Sequence, residues 1–154
     1  LLFIITTKNY LKIKYEPWVS TQGFFIYSPI MHNVIISVGS NYLAEENLDN
    51  AIKSLIKIFP NIRFSPVIET TPYGALYKNN FLNTLGWFTT EQDCEYIYNS
   101  LKCIEKEMGR KKDDKLIGKI IIDIDLIKTD NQILKPKDFE RDYVNKLINY
   151  VSFN

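Results

Sequence analysis

The run Ile120-Ile121-Ile122-Asp123-Ile124-Asp125-Leu126-Ile127 commits its stretch of backbone to a β-strand. β-Branched side chains are stiff and pack well on a pleated surface. Side chains on a strand alternate between faces. Asp123 and Asp125 therefore share one face, while Ile122, Ile124 and Leu126 share the other. Two carboxylates about 6–7 Å apart along one strand repel each other unless a cation lies between them. That spacing suits Mg²⁺, a hard cation held by one or two carboxylates while phosphate oxygens complete its shell. A charged edge strand that discourages aggregation has the same residues and is the structural alternative.

The chain of 154 residues is long enough for one domain with a real core. A net charge of +1 gives no global attraction to nucleic acid or to an anionic membrane, so any anionic ligand must be met by a local cluster. No apolar stretch approaches the ~20 residues of a membrane span. Cys94 and Cys103 fall in one predicted helix at a spacing that no zinc motif uses. They read as core or boundary residues of a protein in a reducing compartment, the cytoplasm. The only histidine, His32, stands beside Met31, which argues against His-based acid–base chemistry and Ser-His triads.

Residues 1–30 have no clear period and read as a non-native or disordered extension, such as an over-extended gene start, ahead of a domain spanning 31–154. The other reading is an extra hairpin formed by Lys12 to Tyr15 and Phe24 to Tyr27. From Met31 the pattern is clearer. Val34 to Val38 predicts a buried strand, followed by a turn at Gly39-Ser40-Asn41. Leu48, Ile52, Leu55 and Phe59 recur at helical spacing, and Pro60 stops that helix. Ile62 to Ile68 predicts a second strand and Phe81 to Phe88 a third. The loop between them is longer than a hairpin needs, which points to function. Thr90-Glu91-Gln92-Asp93 resembles a capping box that opens a helix carrying Cys94, Ile97, Leu101, Ile104 and Met108, with Gly109 as its stop. A basic loop then leads to the Asp123/Asp125 strand, and Phe139, Tyr143, Leu147 and Val151 predict a short last helix.

The order strand, helix, strand, strand, helix, strand is the split βαβ, ferredoxin-like arrangement: an α+β fold with an antiparallel sheet and helices on one face. Asp123 and Asp125 then look out from the open face. Arg110, Lys111, Lys112 and Lys115 precede the carboxylate strand, and Lys119 stands at its start. Cations beside a metal dyad are what polyphosphate needs, although a solvated loop would look the same. No P-loop sequence is present. Phe81 and Asn83 share a strand face and could offer an aromatic plate and an amide to a heterocycle.

Taken in order, Val38-Gly39-Ser40-Asn41, Glu69-Thr70-Thr71-Pro72-Tyr73-Gly74, Phe81-Leu82-Asn83, Glu105 with Gly109-Arg110, and Asp123-Ile124-Asp125-Leu126 resemble the 6-hydroxymethyl-7,8-dihydropterin pyrophosphokinases of folate biosynthesis. The similarity runs from Met31 to about Val144. It implies a ferredoxin-like enzyme that moves pyrophosphate from ATP, its co-substrate, to the pterin hydroxymethyl group and releases AMP. It implies two Mg²⁺ ions on Asp123 and Asp125, with Arg110 and Lys112 beside them as catalytic cations. The pterin is expected between Phe81 and Tyr143, its edge read by Asn83 and by Thr70, Thr71 and Tyr73. Glu105, Arg110, Lys112, Lys119, Leu126 and Arg141 match nucleotide-side positions. The loops Thr71 to Asn80 and Lys111 to Lys119 are expected to close as lids. The implied partners are ATP and a dihydropterin, without nucleic acid or membrane, and a neighbouring folate-pathway enzyme.

The departures from the family pattern lie in the basic loop. An Arg-Trp-Gly-Pro-Arg-Thr-like stretch usual in the family reads Leu116-Ile117-Gly118-Lys119-Ile120-Ile121 here, and a second Arg is Lys112. The family's Pro-His is Pro136-Lys137. Lys supplies point charge without a bidentate fork, which predicts slower turnover or a different lid geometry. Those losses also motivate a second reading, a binding module that keeps pterin or nucleotide binding with weakened catalysis. A third reading, an RNA-recognition module of the same topology, fails because Phe81 to Phe88 does not follow its aromatic pattern.

Overall fold

The computed structural model describes residues 15–19, 25–72, 76–111 and 113–153. The chain divides between Ile30 and Met31 into two units. In the first, β1 (Tyr15–Val19) pairs antiparallel with β2 (Phe25–Pro29), Tyr15 opposite Pro29 and Val19 opposite Phe25. The hairpin reading placed strands at 12–15 and 24–27; residues 12–14 and 24 lie outside the described residues.

The second unit runs β3 (His32–Ser40), α1 (Ala44–Ile58), β4 (Arg63–Phe64), β5 (Ile68–Thr70), β6 (Phe81–Thr90), α2 (Cys94–Glu107), β7 (Asp123–Thr129), β8 (Gln132–Ile133), α3 (Pro136–Phe139) and α4 (Asp142–Leu147). The sheet order is β4-β6-β3-β7-β8, with β5 also on β6, and every pairing is antiparallel. With β4 and β5 sharing the second-strand position, this is the ferredoxin-like order expected from the sequence.

Strand alternation builds the layers. Val34, Ile36 and Val38 of β3, Phe88 of β6, and Ile124 and Leu126 of β7 face one side, and they form one core with Leu48, Leu55 and Phe59 from α1 and its end, and with Ile97, Leu101 and Ile104 from α2. Phe59 stacks on Phe88 with ring centroids 4.2 Å apart. Truncating a buried Leu such as Leu55 to Ala in a core of this kind costs about 2–5 kcal/mol. On the opposite face Ile35, Leu85, Trp87 and Ile127 meet Val144 and Leu147 of α4 in a smaller second core. Trp87 Nε1 donates to Ser152 O at 2.8 Å and pins the chain's last described segment there. The two long helices thus cover one face and α4 covers one end of the other, the rest of which no described helix covers.

The local signals differ from expectation in six places, one of them the single last helix predicted from Phe139 to Val151, which is split into α3 and α4 with Val151 beyond both. The strand predicted from Ile62 to Ile68 is broken at Ser65-Pro66-Val67. Pro66 has no N–H to give a ladder, and the Ser65 hydroxyl accepts from Leu85 N at 3.0 Å. The first strand continues through Gly39 and Ser40 instead of turning there. The Ser40 hydroxyl donates to Ile121 O at 2.6 Å and Ile120 N donates to Asn41 Oδ1 at 2.7 Å, so Ile120 to Ile122 are held before β7 begins at Asp123. Asp93, not Thr90, is the N-cap of α2, accepting from Tyr96 N at 2.8 Å. Cys94 and Cys103 are both exposed rather than core or boundary residues. Gly109 takes φ +84°, the left-handed conformation of a glycine helix stop.

Candidate active site

The register lays a single row of positions across four strands. Ile68 of β5 lies opposite Asn83 of β6, Asn83 opposite Gly39 of β3, and Gly39 opposite Asp123 of β7. One step along, Ser37 lies opposite Asp125, and on the other side of the row Thr70 lies opposite Phe81. Phe81, Asn83, Ser37, Gly39, Asp123 and Asp125 therefore form one floor, and all six line a cavity of about 610 Å³. Its walls include Thr71, Pro72, Tyr77, Arg141 and Tyr143. The volume falls within the range of small-molecule sites, about 300–1,000 Å³.

One end of the floor is aromatic and amide-bearing. Tyr77 meets Phe81 edge to face, with centroids 5.4 Å apart. Asn83 is buried, and its Nδ2 donates to Thr70 Oγ1 at 2.8 Å. Tyr143 OH and Ser37 Oγ are 2.8 Å apart, which ties α4 to β3. Burial pushes the Tyr143 phenol up from its ordinary pKa, so it stays neutral at physiological pH.

The other end is a chain of alternating charges. Lys135 Nζ lies 2.5 Å from Asp125 Oδ1. Lys102 Nζ lies 3.6 Å from the same oxygen and 2.8 Å from Glu105 Oε1. Arg110 NH1 lies 2.6 Å from that Glu105 oxygen and 2.5 Å from Asp123 Oδ1. Glu105 is buried and also accepts Ile124 N at 2.7 Å, which fastens α2 to β7. Burial pulls the Arg110 guanidinium down, but Asp123 and Glu105 more than offset it, and its pKa rises. Lys135 behaves the same way: burial lowers it, and Asp125 raises it further. Both groups stay cationic.

A second cavity of about 480 Å³ adjoins the first and shares Arg110, Lys115 and Ile120 with it. Lys102, Lys106, Lys111 and Lys119 line it together with Glu105. Lys119 Nζ stands 4.0 Å from the centroid of the Tyr42 ring. Buried Asn41 organises this side: its Nδ2 donates to Gly118 O at 2.9 Å, and its own carbonyl accepts Asn79 Nδ2 at 3.4 Å. Both long loops are thereby tied to the end of β3.

The arrangement is a cavity with an aromatic, amide-bearing end and a carboxylate-bearing end, joined through Arg110, Lys115 and Ile120 to a cationic cavity. A family model described as 7,8-dihydro-6-hydroxymethylpterin-pyrophosphokinase matches residues 35–152. The chain belongs to this family. Among curated proteins, no individual sequence gives a significant match.

The reaction of a hydroxymethyldihydropterin pyrophosphokinase is transfer of pyrophosphate from ATP to the hydroxymethyl group of 6-hydroxymethyl-7,8-dihydropterin, a step of folate biosynthesis. Thr70, Thr71, Phe81, Asn83, Tyr143, Asp123, Asp125, Arg110 and Arg141 all line the main cavity. Glu105 and Lys119 line the second. Leu126 lies apart from both, with its side chain in the core under the long helices. Tyr73 and Lys112 lie outside the described residues. Sequence reasoning missed Lys102 and Lys135, which reach the carboxylates through space, and Ser37, whose signal was its strand parity with Gly39. Among the described residues no group of three or more His, Cys, Asp or Glu could hold a metal. No helix among them is long and apolar enough to cross a membrane.

Proposed function

We propose that Asp123 and Asp125 hold two Mg²⁺ ions against the phosphates of ATP, that the pterin lies between Phe81 and Tyr143, and that the cations of the second cavity meet the nucleotide. The observation that carries this reading is the position of the two carboxylates. They stand on one strand face in the floor of the main cavity, and Asp123 is paired with Arg110, which lines the cationic cavity as well. Their oxygens are hard donors, and with no third carboxylate grouped with them among the described residues, phosphate and water would complete each ion's shell. Glu105 does not compete for metal, because its Oε1 already takes Ile124 N, Lys102 and Arg110. Bound magnesium would supply neutralisation of the phosphate charge and polarisation of the phosphorus.

This chain's residues would do the rest. Asn83 and Thr70 read the pterin edge, and Phe81 supplies a stacking face. The pterin hydroxymethyl oxygen bonds to the β-phosphorus, its proton leaves to water, and the oxygen bridging the α- and β-phosphorus departs with AMP. His32, the only histidine, sits at the opposite end of β3 from Gly39 and takes no part. Catalysis then rests on alignment and on charge placed before the reaction starts. Arg110 and Arg141 are the cations of the main cavity that match the nucleotide side. Thr71, Pro72 and Tyr77 line the main cavity and Lys111, Lys115 and Lys119 the second, and the loops Thr71 to Asn80 and Lys111 to Lys119 that carry them act as lids. The lysines in the basic loop set a slower turnover, or a different lid geometry, than an arginine-rich homologue would have. We place the enzyme in the cytoplasm, with a neighbouring folate-pathway enzyme as its protein partner.

The test is AMP release from ATP, Mg²⁺ and the dihydropterin, scored against heat-killed protein. Asp123→Ala and Asp125→Ala should each remove activity while melting cooperatively near the parent temperature. Activity retained in both variants, or undiminished in the presence of a chelator, would overturn the assignment.

A further inference from the structure

Lys135 follows β8 and precedes Pro136, the first residue of α3. Its ammonium has one hydrogen-bond acceptor among the described residues, Asp125 Oδ1 at 2.5 Å. Lys102, which lies 3.6 Å from the same oxygen, is held elsewhere as well, donating to Glu105 Oε1 at 2.8 Å and to Ile124 O at 3.0 Å. The two cations beside Asp125 are therefore unlike. Lys102 is fixed to Glu105 of α2 and to β7, whereas among the described residues Lys135 is held by the carboxylate alone, and its side chain is 39% exposed. A divalent cation and an ammonium cannot both keep close contact with one carboxylate oxygen without strong mutual repulsion. A nucleotide arriving with the metal brings new anionic oxygens to which a lysine can turn.

We propose that Lys135 is a further positioning residue of the transfer site: it holds Asp125 until a divalent cation takes that carboxylate, and then passes its charge to the phosphates of the nucleotide. The proposal rests on the reading that Asp123 and Asp125 are the metal ligands. It gives the ligand-free site a counter-ion that must leave and that is useful once it has left. Lys135 then favours nucleotide and disfavours bare metal, which couples the binding of the two.

The test is binding, measured without turnover. Mn²⁺ is titrated by electron paramagnetic resonance into protein free of nucleotide and pterin. Lys135→Met and Lys135→Gln should bind Mn²⁺ about two- to fivefold more tightly than the parent, since a partly exposed ion pair no longer competes. Lys135→Arg should bind like the parent. With Mg²⁺ present, α,β-methylene ATP should bind Lys135→Met and Lys135→Gln about tenfold more weakly. A purely structural loss would weaken both ligands, so the opposite signs identify the role. Mn²⁺ affinity unchanged or reduced in the neutral variants, or unchanged nucleotide affinity, overturns the proposal while leaving the metal assignment standing if Asp125→Asn abolishes Mn²⁺ binding. Undiminished Mn²⁺ binding by Asp125→Asn overturns the metal assignment, and this proposal with it.

Discussion

Gly39 and Asn83 face each other across the β3–β6 ladder, and a methyl group placed on Gly39 would stand 2.5 Å from Asn83 Oδ1. The glycine is there for space, not for a turn. Its missing side chain lets the buried amide lie flat on the floor and reach Thr70. Gly39→Ala should displace Asn83 and weaken pterin binding at least tenfold, leaving ATP binding within about twofold, with overpacking costing about 1–3 kcal/mol of stability. Isothermal titration with each ligand alone checks it; equal weakening of both would remove Asn83 from the pterin's edge.

Phe81 occupies the same floor, one residue pair further along β6. Aromatic stacking on a flat heterocycle is worth about 1–3 kcal/mol, so Phe81→Ala should weaken pterin binding by about tenfold or more. Phe81→Trp should restore most of it. ATP affinity is the internal control, and a matching fall in both affinities would contradict a stacking role.

Glu105 is the anchor beneath the charged end. Removing its carboxylate takes one partner each from Lys102 and Arg110 and leaves the buried Ile124 N–H without its acceptor. Glu105→Ala should therefore cost about 2–4 kcal/mol in urea denaturation. Arg110, released from one of its two partners, should sample more positions, and kcat should fall further than in Lys102→Ala. Unaltered stability would show that Glu105 is not the tie between α2 and β7.

At the far end of the sheet, Asp130 receives Asn33 N at 2.8 Å and contacts His32 Nδ1 at 2.8 Å. Burial pushes this carboxyl up, but the hydrogen bonds from His32 and Asn33 more than offset it and hold it below its ordinary value. A depressed folded-state pKa stabilises the fold at pH above the unfolded value, about 3.9 for Asp, and that contribution disappears as pH falls through the folded value. Asp130→Asn should melt below the parent at pH 7, and the gap should close in acid below about pH 4. Asn tolerates the left-handed backbone found here, φ +50°, so the comparison isolates charge. A gap that is the same at both pH values would refute the linkage.

The order of elements could be read from periodicity because each long element carries its own pattern. Leu48, Leu55 and Phe59 mark one helix, Ile97, Leu101 and Ile104 another, and the alternation through Ile122 to Leu126 placed the two aspartates on the open face. What could not be read were features made by partners far along the chain. The break at Ser65 depends on Leu85, and the late start of β7 depends on Ser40 and Asn41. Lys135 and Lys102 become neighbours of Asp125 only because β8 returns along β7 and α2 packs behind it. The N-cap of α2 was misplaced because Thr90 and Asp93 both carry capping side chains; Thr90 instead accepts Gln92 N at 3.1 Å within the turn.

The sheet order β6-β3-β7 has a consequence for biosynthesis. The middle strand is made early and one of its two neighbours late, so while the ribosome is still adding residues before Asp123, β3 can already be zipped to β6 with its other edge bare. That edge has unpaired backbone groups, the kind of surface that recruits foreign strands. A transcript truncated before β7 should therefore yield an aggregating product rather than a soluble half-enzyme. The same segment that completes the cavity floor also seals the fold against its neighbours in the cell.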